Sequence, residues 1–442
     1  MLKTLLTSRR FAPLFWCQLC SALNDNFLKN ALAMLILFGF GGSGATGGAY
    51  APLLITASGV VLIAPFFFLS GLGGELADKY DKARVAQSIR LAEIPIASLA
   101  AVGFFLHSVP LLFLALALFG MVAALFGPVK YGLLPEKLST AELPAGNALV
   151  EGATFLAILV GTIAGGISIS EAKSAEGVVG VIVVLALVSW TFSRAIPSSG
   201  PAAPGLTITR NPIASTFALL KELRADWRLW SGGHIVSWFW LVGFVALSLL
   251  PATVKLIIGG NESVVTLCLA VFTIGIATGS LLAARASRGR PNLALVPLAA
   301  LLMGLFSLAI AVLTSLVSPP SQLLGAQDLL ASPTGLALVV CFCGLAVSGG
   351  LFVVPTFAAV QAWAPPERRA RVIAGVNVLN AAYMLGGGGV VAGLQAAGVG
   401  SPMLFGLTGV LNLVVIVLIR RAWGSDVLRE AGRFAAGGAV GE

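Results

Sequence analysis

Twelve apolar runs, each of about 20 residues or more, dominate this sequence and leave little choice of fold. They lie at about 11–40, 50–72, 85–106, 110–130, 147–170 and 177–196. After a gap they resume at 228–252, 263–284, 292–317, 334–357, 372–398 and 403–422. A helix of about 20 apolar residues spans the hydrocarbon core of a bilayer. The runs do not alternate in tens, as the strands of a membrane β-barrel would. The expected fold is an all-α membrane protein of 12 transmembrane helices in two six-helix pseudo-symmetric bundles. Charged residues are only 10% of the 442, against about 25% in soluble domains. That excludes a soluble enzyme, a disordered chain and a nucleic-acid binder. Gly reaches 52 residues, in keeping with membrane helices that approach closely.

The charges fix a topology. With the N-terminus in the cytoplasm and alternating spans, 24 of the 27 Lys and Arg residues fall on the inside and two, Lys173 and Lys255, on the outside. Lys29 lies within the first span. This asymmetry follows the positive-inside rule and places both termini in the cytoplasm. The net charge of +9 is therefore read as topology. Met1–Arg10 is basic, but the apolar run that follows is too long for a signal peptide and is read as a retained span.

The domains expected are 1–197, a first six-helix bundle; 198–227, a cytoplasmic linker; 228–424, a second bundle; and 425–442, a cytoplasmic tail. The linker opens with Pro197-Ser-Ser-Gly-Pro-Ala-Ala-Pro204, a turn-forming composition. Ile213–Trp230 then mixes Lys221, Glu222, Arg224, Asp226 and Arg228 with apolar residues. It reads as an amphipathic helix on the membrane surface. The two halves echo each other. Gly74-Glu-Leu-Ala-Asp78 is matched by Gly279-Ser-Leu-Leu-Ala283, and Ala145-Gly-Asn147-Ala-Leu149 by Ala374-Gly-Val-Asn377-Val-Leu379. Repeats of this kind are a hallmark of transporters built from two parallel halves.

Ionisable residues inside apolar runs are costly and point to function. Asp25 lies midway along the first run in Asn24-Asp25-Asn26, with Lys29 four residues on and on the same helical face. The functional reading is a headgroup or coupling-ion site; the structural alternative is an Asp25–Lys29 pair. Lys130, in Phe126-Gly-Pro128-Val-Lys130-Tyr131-Gly132, is placed to bind a phosphate or to snorkel to the interface. Pro128 and the glycines are expected to break the helix there. Glu151 lies about a turn into the fifth span, where it can pair with Lys130 or Arg90 or act as a gating group. Arg90 and Glu93, at i and i+3, are expected to pair with each other. His234 is either a proton relay or a satisfied bundle histidine. The tryptophans near it are expected to form an interfacial belt.

Some chemistry is missing. No Lys follows a Gly, so no Walker-type phosphate loop is present. With only two histidines, no metal centre is expected. No nucleophile–base set is visible, so an enzyme is not expected. The five cysteines lie in apolar runs without disulfide or zinc spacing and read as small hydrophobic side chains.

Two groups of residues carry a family resemblance. The loop Gly74-Glu-Leu-Ala-Asp78-Lys79-Tyr-Asp81-Lys82-Ala-Arg84 is similar to the signature between helices 2 and 3 of the major facilitator superfamily, with Asp81 where Gly is usual and Lys79 where Arg is usual. In this reading Gly74, Asp78, Lys79 and Arg84, with Arg90 and Glu93, are gating residues, and Asp78 is an interdomain latch. The stretches Gln18-Leu-Cys-Ser-Ala-Leu-Asn24-Asp25-Asn26-Phe-Leu-Lys29-Asn30 and Phe126-Gly-Pro-Val-Lys130-Tyr131-Gly132, continuing to Asn147-Ala-Leu-Val-Glu151, resemble the bacterial lysophospholipid transporter (LplT-like) branch of that superfamily. The resemblance implies a multi-pass protein of the bacterial inner membrane. It implies movement of lysophospholipids such as lysophosphatidylethanolamine from the outer to the inner leaflet, for re-acylation by a cytoplasmic acyltransferase/acyl-carrier-protein synthetase. That enzyme is a separate protein or a fused domain. The substrate-binding or coupling residues would be Asp25, Asn24, Asn26, Lys29, Lys130, Tyr131, Glu151 and His234. No cofactor is expected; Na⁺ and H⁺ are the candidate coupling ions. Two alternatives stand beside this reading. One is an ion-coupled drug or metabolite transporter of the same superfamily. The other is a non-transporting membrane scaffold for the acyltransferase.

Overall fold

The computed structural model describes residues 2–38, 51–170, 175–287, 290–317 and 323–435. Lys173, Arg288, residues 39–40 and 50 of the first two runs, and the end of the expected tail (436–442) lie outside the described residues. The helices are α1 (Leu2–Thr7), α2 (Ala12–Phe38), α3 (Ala51–Lys79), α4 (Lys82–Phe105), α5 (Val109–Lys137), α6 (Leu143–Ser170), α7 (Glu176–Arg194) and α8 (Pro212–Arg224). They continue as α9 (Trp227–Thr253), α10 (Glu262–Ala286), α11 (Leu295–Leu316), α12 (Ala326–Ala331), α13 (Pro333–Trp363), α14 (Arg369–Ala396) and α15 (Ser401–Ala435).

Eleven of these, among the described residues, are long and apolar enough to cross a membrane. The first expected span, α2, is not among the eleven. Its 27 residues make about 40 Å of helix at 1.5 Å per residue, ample to cross. Gln18, Asn24, Asp25, Asn26, Lys29 and Asn30 lower its hydropathy. Length supports a crossing; composition marks α2 as the span with a polar purpose.

Local sequence explains where many helices start. Asp81 caps α4, Asn211 caps α8 and Asp226 caps α9, each carboxylate or amide oxygen accepting from early backbone N–H groups. Pro212 occupies the first turn of α8, where its missing N–H costs nothing. Several helices outrun their apolar segments. α3 continues to Lys79, α5 to Lys137 and α13 to Trp363. The tail expected from 425 begins as helix, since α15 runs to Ala435 with its helical geometry interrupted at Trp423.

The chain forms two compact units. The first comprises residues 1–139, 153–225 and 364–381; the second comprises 140–152, 226–363 and 382–442. In the first unit, α2 and α4 pack on α7, and α3 and α4 on α5. Phe27, Leu32, Ala100, Phe104, Phe119 and Ile182 lie in its buried core. In the second unit, α13 packs on α10, α11 and α9, and α11 packs on α15. Both units use glycine to bring helix backbones together. A Cβ on Gly120 of α5 would stand 2.6 Å from the Leu62 carbonyl oxygen of α3, and one on Gly350 of α13 would stand 2.5 Å from the Ile276 carbonyl of α10.

After α7 the chain turns back onto the α3–α4 corner through Asp81. The Asp81 carboxylate accepts from the Arg84 amide (3.0 Å), the Ser198 hydroxyl (2.7 Å) and the backbone amides of Ser199 (3.0 Å) and Gly200 (2.7 Å). Gly200 has φ +79°, which suits glycine alone. Burial raises the Asp81 carboxyl, and these hydrogen bonds outweigh it, bringing the group down to about 2. Its contribution is therefore complete above about pH 4 and is lost as pH falls toward 2. Asp81→Ala is expected to cost about 1 kcal/mol and to expose the linker to protease. Thermal unfolding and limited proteolysis of the detergent-solubilised protein check this. A variant as stable and as resistant as the wild type would contradict it.

Candidate functional site

The polar residues of α2 divide by helical face. Asn24 is fully buried, and its amide donates to the Ile182 carbonyl of α7 at 3.1 Å. Asn26 donates to the Ala22 carbonyl (2.8 Å), and Asn30 donates to the Asn26 carbonyl (2.8 Å) and to the Thr162 hydroxyl (3.1 Å). These asparagines hold α2 against α6 and α7 and back-bond its own turns. Asp25 and Lys29 are half-buried. Four-residue spacing permits them to pair, yet among the described residues no ion pair joins them.

Asp25 lies one turn along α2 from Ser21, the residue to which Arg90 of α4 donates. Arg90 is fully buried and donates to Glu93 Oε2 at 2.5 Å, as their i, i+3 spacing predicts. Its Nη1 also donates to Ser21 Oγ, and its guanidinium lies 3.8 Å from the centre of the Phe126 ring. Arg90 and Glu93, expected as gating residues, pair with each other on α4 and take no part in the contacts of Asp78. Lys130 Nζ donates to Gln18 Oε1 at 3.2 Å and lies 4.6 Å from the Tyr131 ring centre. α2, α4 and α5 thus bring two carboxylates and two cations into one apolar bundle. A cluster of this kind can meet a zwitterionic group charge for charge.

The expected helix break at Pro128 does not occur, since α5 is continuous from Val109 to Lys137. Proline removes one backbone donor, and the flanking turns keep the helix in register. Lys130 therefore sits seven residues inside the helix end, alongside Gln18 of α2.

The Gly74 loop makes a second site within the same unit. Asp78 is fully buried. Its carboxylate accepts from the Ala370 amide (3.1 Å), the Arg371 amide (3.1 Å) and Arg371 Nε (3.2 Å). A carboxylate on the first turn of α14 meets unpaired N–H groups and the positive end of the helix dipole. Gly74, one turn earlier, lies against the same turn, where a Cβ would come 2.7 Å from that of Ala374. Lys82 lies 3.8 Å from Asp78 and 2.7 Å from Glu136. Lys79 and Arg84, the other gating candidates, take no part. Arg84 is exposed, and Lys79 sits 5.7 Å over the Tyr80 ring.

α8 ties the same elements together. Glu75 accepts from Ser215 Oγ (2.6 Å) and from the Thr209 amide (2.7 Å). Glu222 pairs with Arg371 (3.3 Å) and Arg368 (3.5 Å). Sequence reasoning used Arg368 and Arg371 only as topology charges and gave Glu75 no role. The signal available was Lys82, one turn past Asp78, and the single inward-facing acid of an otherwise basic amphipathic helix.

In the second unit His234 Nδ1 lies 2.8 Å from the Tyr383 hydroxyl, with Trp230 edge-on at 4.4 Å. Glu151 is buried in α6. Near it, Asn147 and Gln361 exchange amide hydrogen bonds of 2.6 and 3.2 Å across α6 and α13. Among the described residues no group of three or more His, Cys, Asp or Glu side chains is placed to hold a metal.

The profile of the Major Facilitator Superfamily matches residues 14–326. The lysophospholipid transporter LplT of Serratia proteamaculans is 29% identical over 288 residues, covering 63% of this chain and 67% of that protein. Its counterpart in Yersinia pestis is 30% identical over 290 residues, covering 63% and 65%. The alignments thus span about two thirds of those relatives' length. Among solved structures, the human organic anion transporter MFSD10 superimposes with a TM-score of 0.72 at 18% identity, over 93% of this chain and 99% of that one. The proton:xylose symporter XylE does so with a TM-score of 0.63 at 13% identity, over 93% and 96%. These two likenesses concern the fold. Helices, motif and profile agree: the chain is a multi-pass membrane protein that belongs to the Major Facilitator Superfamily, similar within it to the lysophospholipid transporters.

Proposed function

We propose that this chain is a lysophospholipid transporter of the bacterial inner membrane. The observation that carries the reading is the buried Arg90–Glu93 pair held on Ser21, one turn from Asp25 on α2, with Lys130 of α5 held on Gln18 of the same helix. The similarity to the LplT proteins supports it. A lysophospholipid brings one acyl chain, a phosphate and, in the ethanolamine form, an amine. Lys130 meets the phosphate, with Lys29 as the second cation, and Asp25 meets the amine. Arg90, held by Glu93 and Ser21, positions the site and is not itself offered to substrate. The lipid moves from the outer to the inner leaflet and is then re-acylated by a cytoplasmic acyltransferase. Na⁺ or H⁺ supplies the driving force, with Asp25 as the coupling group. Alternating access proceeds between conformations in which the Asp78–α14 contact is made and broken.

Two experiments test these roles. In equilibrium binding to purified protein, Asp25→Asn is expected to weaken lysophosphatidylethanolamine about tenfold to a hundredfold, the worth of a hydrogen bond to a charged group. It should leave lysophosphatidylglycerol, which lacks the amine, nearly unchanged. Lys130→Ala should weaken both. Equal affinities in wild type and both variants would refute the site. Asp78→Asn removes a charge worth about 1–2 kcal/mol at a helix N-terminus, and so should shift the made-to-broken ratio roughly fivefold to thirtyfold. A cysteine introduced at the buried Ala370 should then react faster with a water-soluble maleimide. An unchanged rate would remove Asp78 from the gate.

A further inference from the structure

α8 presents a face that the site above does not use. Ser215, Thr216, Leu219 and Leu223 are buried. Glu75 of α3 receives Ser215, and Gly375 of α14 lies against Leu219 and Leu223. On the other side Ile213 is 52% and Phe217 62% exposed, and Ala214, Ala218, Lys221 and Arg224 are exposed with them. The charge on this side has one sign. Glu222 is turned inward to Arg371 and Arg368, and Asp226 is consumed as the cap of α9. Arg210, Lys221 and Arg224 are exposed and form no ion pair among the described residues.

The depth of the helix decides what this face meets. Thr216 Oγ1 donates to the carbonyls of Phe67 (3.3 Å) and Phe68 (3.4 Å) on α3. Phe67 lies twelve residues before the end of α3 at Lys79, about 18 Å along the helix axis. α8 therefore runs beside a membrane span and does not hang beyond its end. Phe68, 46% exposed, borders it. Exposed apolar residues followed by a row of cations, beside a span, match the interface between acyl chains and headgroups.

We propose that the outward face of α8 is a docking surface for anionic phospholipid of the leaflet it borders, the cytoplasmic one by the positive-inside rule. Ile213 and Phe217 enter the acyl boundary, and Arg210, Lys221 and Arg224 meet headgroup phosphates. The same helix grips α3 through Glu75 and the start of α14 through Glu222 and Arg371. Lipid seated on it bears on the two helices that Asp78 joins. The proposal is independent of which substrate the chain carries.

The test places an environment-sensitive fluorophore at Ala214→Cys in full-length protein whose native cysteines are replaced and whose fold is verified by its thermal midpoint. The protein is reconstituted in phosphatidylcholine vesicles with phosphatidylglycerol, one of the two lipids being brominated at equal mole fraction. Brominated phosphatidylglycerol is expected to quench about threefold more strongly, since each basic residue near an anionic surface adds a favourable increment. The triple variant R210Q/K221Q/R224Q should lose the preference while both lipids still quench. High salt should weaken the preference in the labelled protein with its three basic residues intact, a control that needs no substitution in the basic row. Equal quenching by the two lipids, insensitive to salt, would overturn the proposal. So would quenching by aqueous iodide alone, which would give this face to water or to a protein partner.

Discussion

An ionised group inside a membrane-spanning bundle has to be answered by opposite charge, by hydrogen bonds or by water, because hydrocarbon offers none of these. The organisation of the first unit follows from that constraint. Arg90 is buried and is answered three times, by the Glu93 carboxylate, the Ser21 hydroxyl and the face of Phe126. With Arg90 held on Ser21 and Lys130 on Gln18, two cations stand against α2 on the turns that lead to Asp25. Replacing one member of such a group leaves the others uncompensated, which costs far more than the pair itself contributes. Asn24 and Asn30 serve the same end, since they pin α2 to α7 and α6 and so set which face Asp25 presents.

The same economy of charge shapes the end of α3. Asp78 is buried and accepts from two backbone amides and one guanidinium at the start of α14. Arg371 faces Asp78 on one side and Glu222 of α8 on the other. Lys82 stands between Asp78 and Glu136. Acid and base alternate through Glu222, Arg371, Asp78, Lys82 and Glu136, so that each buried charge has an opposite neighbour. Gly74 permits the approach, and Glu75 anchors α8 alongside. Three elements far apart in sequence are joined by few residues, and a change at any one is felt by the others.

Much of the fold was legible in the sequence because bilayer thickness sets the length of an apolar run. The Arg90–Glu93 pair and the amphipathic α8 were legible for a similar reason, since helical spacing places residues without reference to anything distant. What escaped sequence reading depends on tertiary partners. Nothing local says that Asp78 meets Ala370 and Arg371, almost 300 residues away, or that Asn147 exchanges hydrogen bonds with Gln361. Nor does local sequence say that α6 and α14 each contribute to both units. Helix ends were missed where Lys79, Lys137 and Trp363 continue a helix past its apolar stretch. Pro128 misled because its usual penalty in soluble helices is softened within a bundle.

The central claim is that this chain carries a lysophospholipid from one leaflet to the other. The direct measurement is the transfer of headgroup-labelled lysophosphatidylethanolamine across proteoliposomes containing the purified protein, with Na⁺ and pH gradients imposed in turn. The account predicts transfer well above protein-free vesicles, stimulated by one of the two gradients. Transfer no faster than in empty vesicles, with folded protein verified in the same membranes, would contradict it.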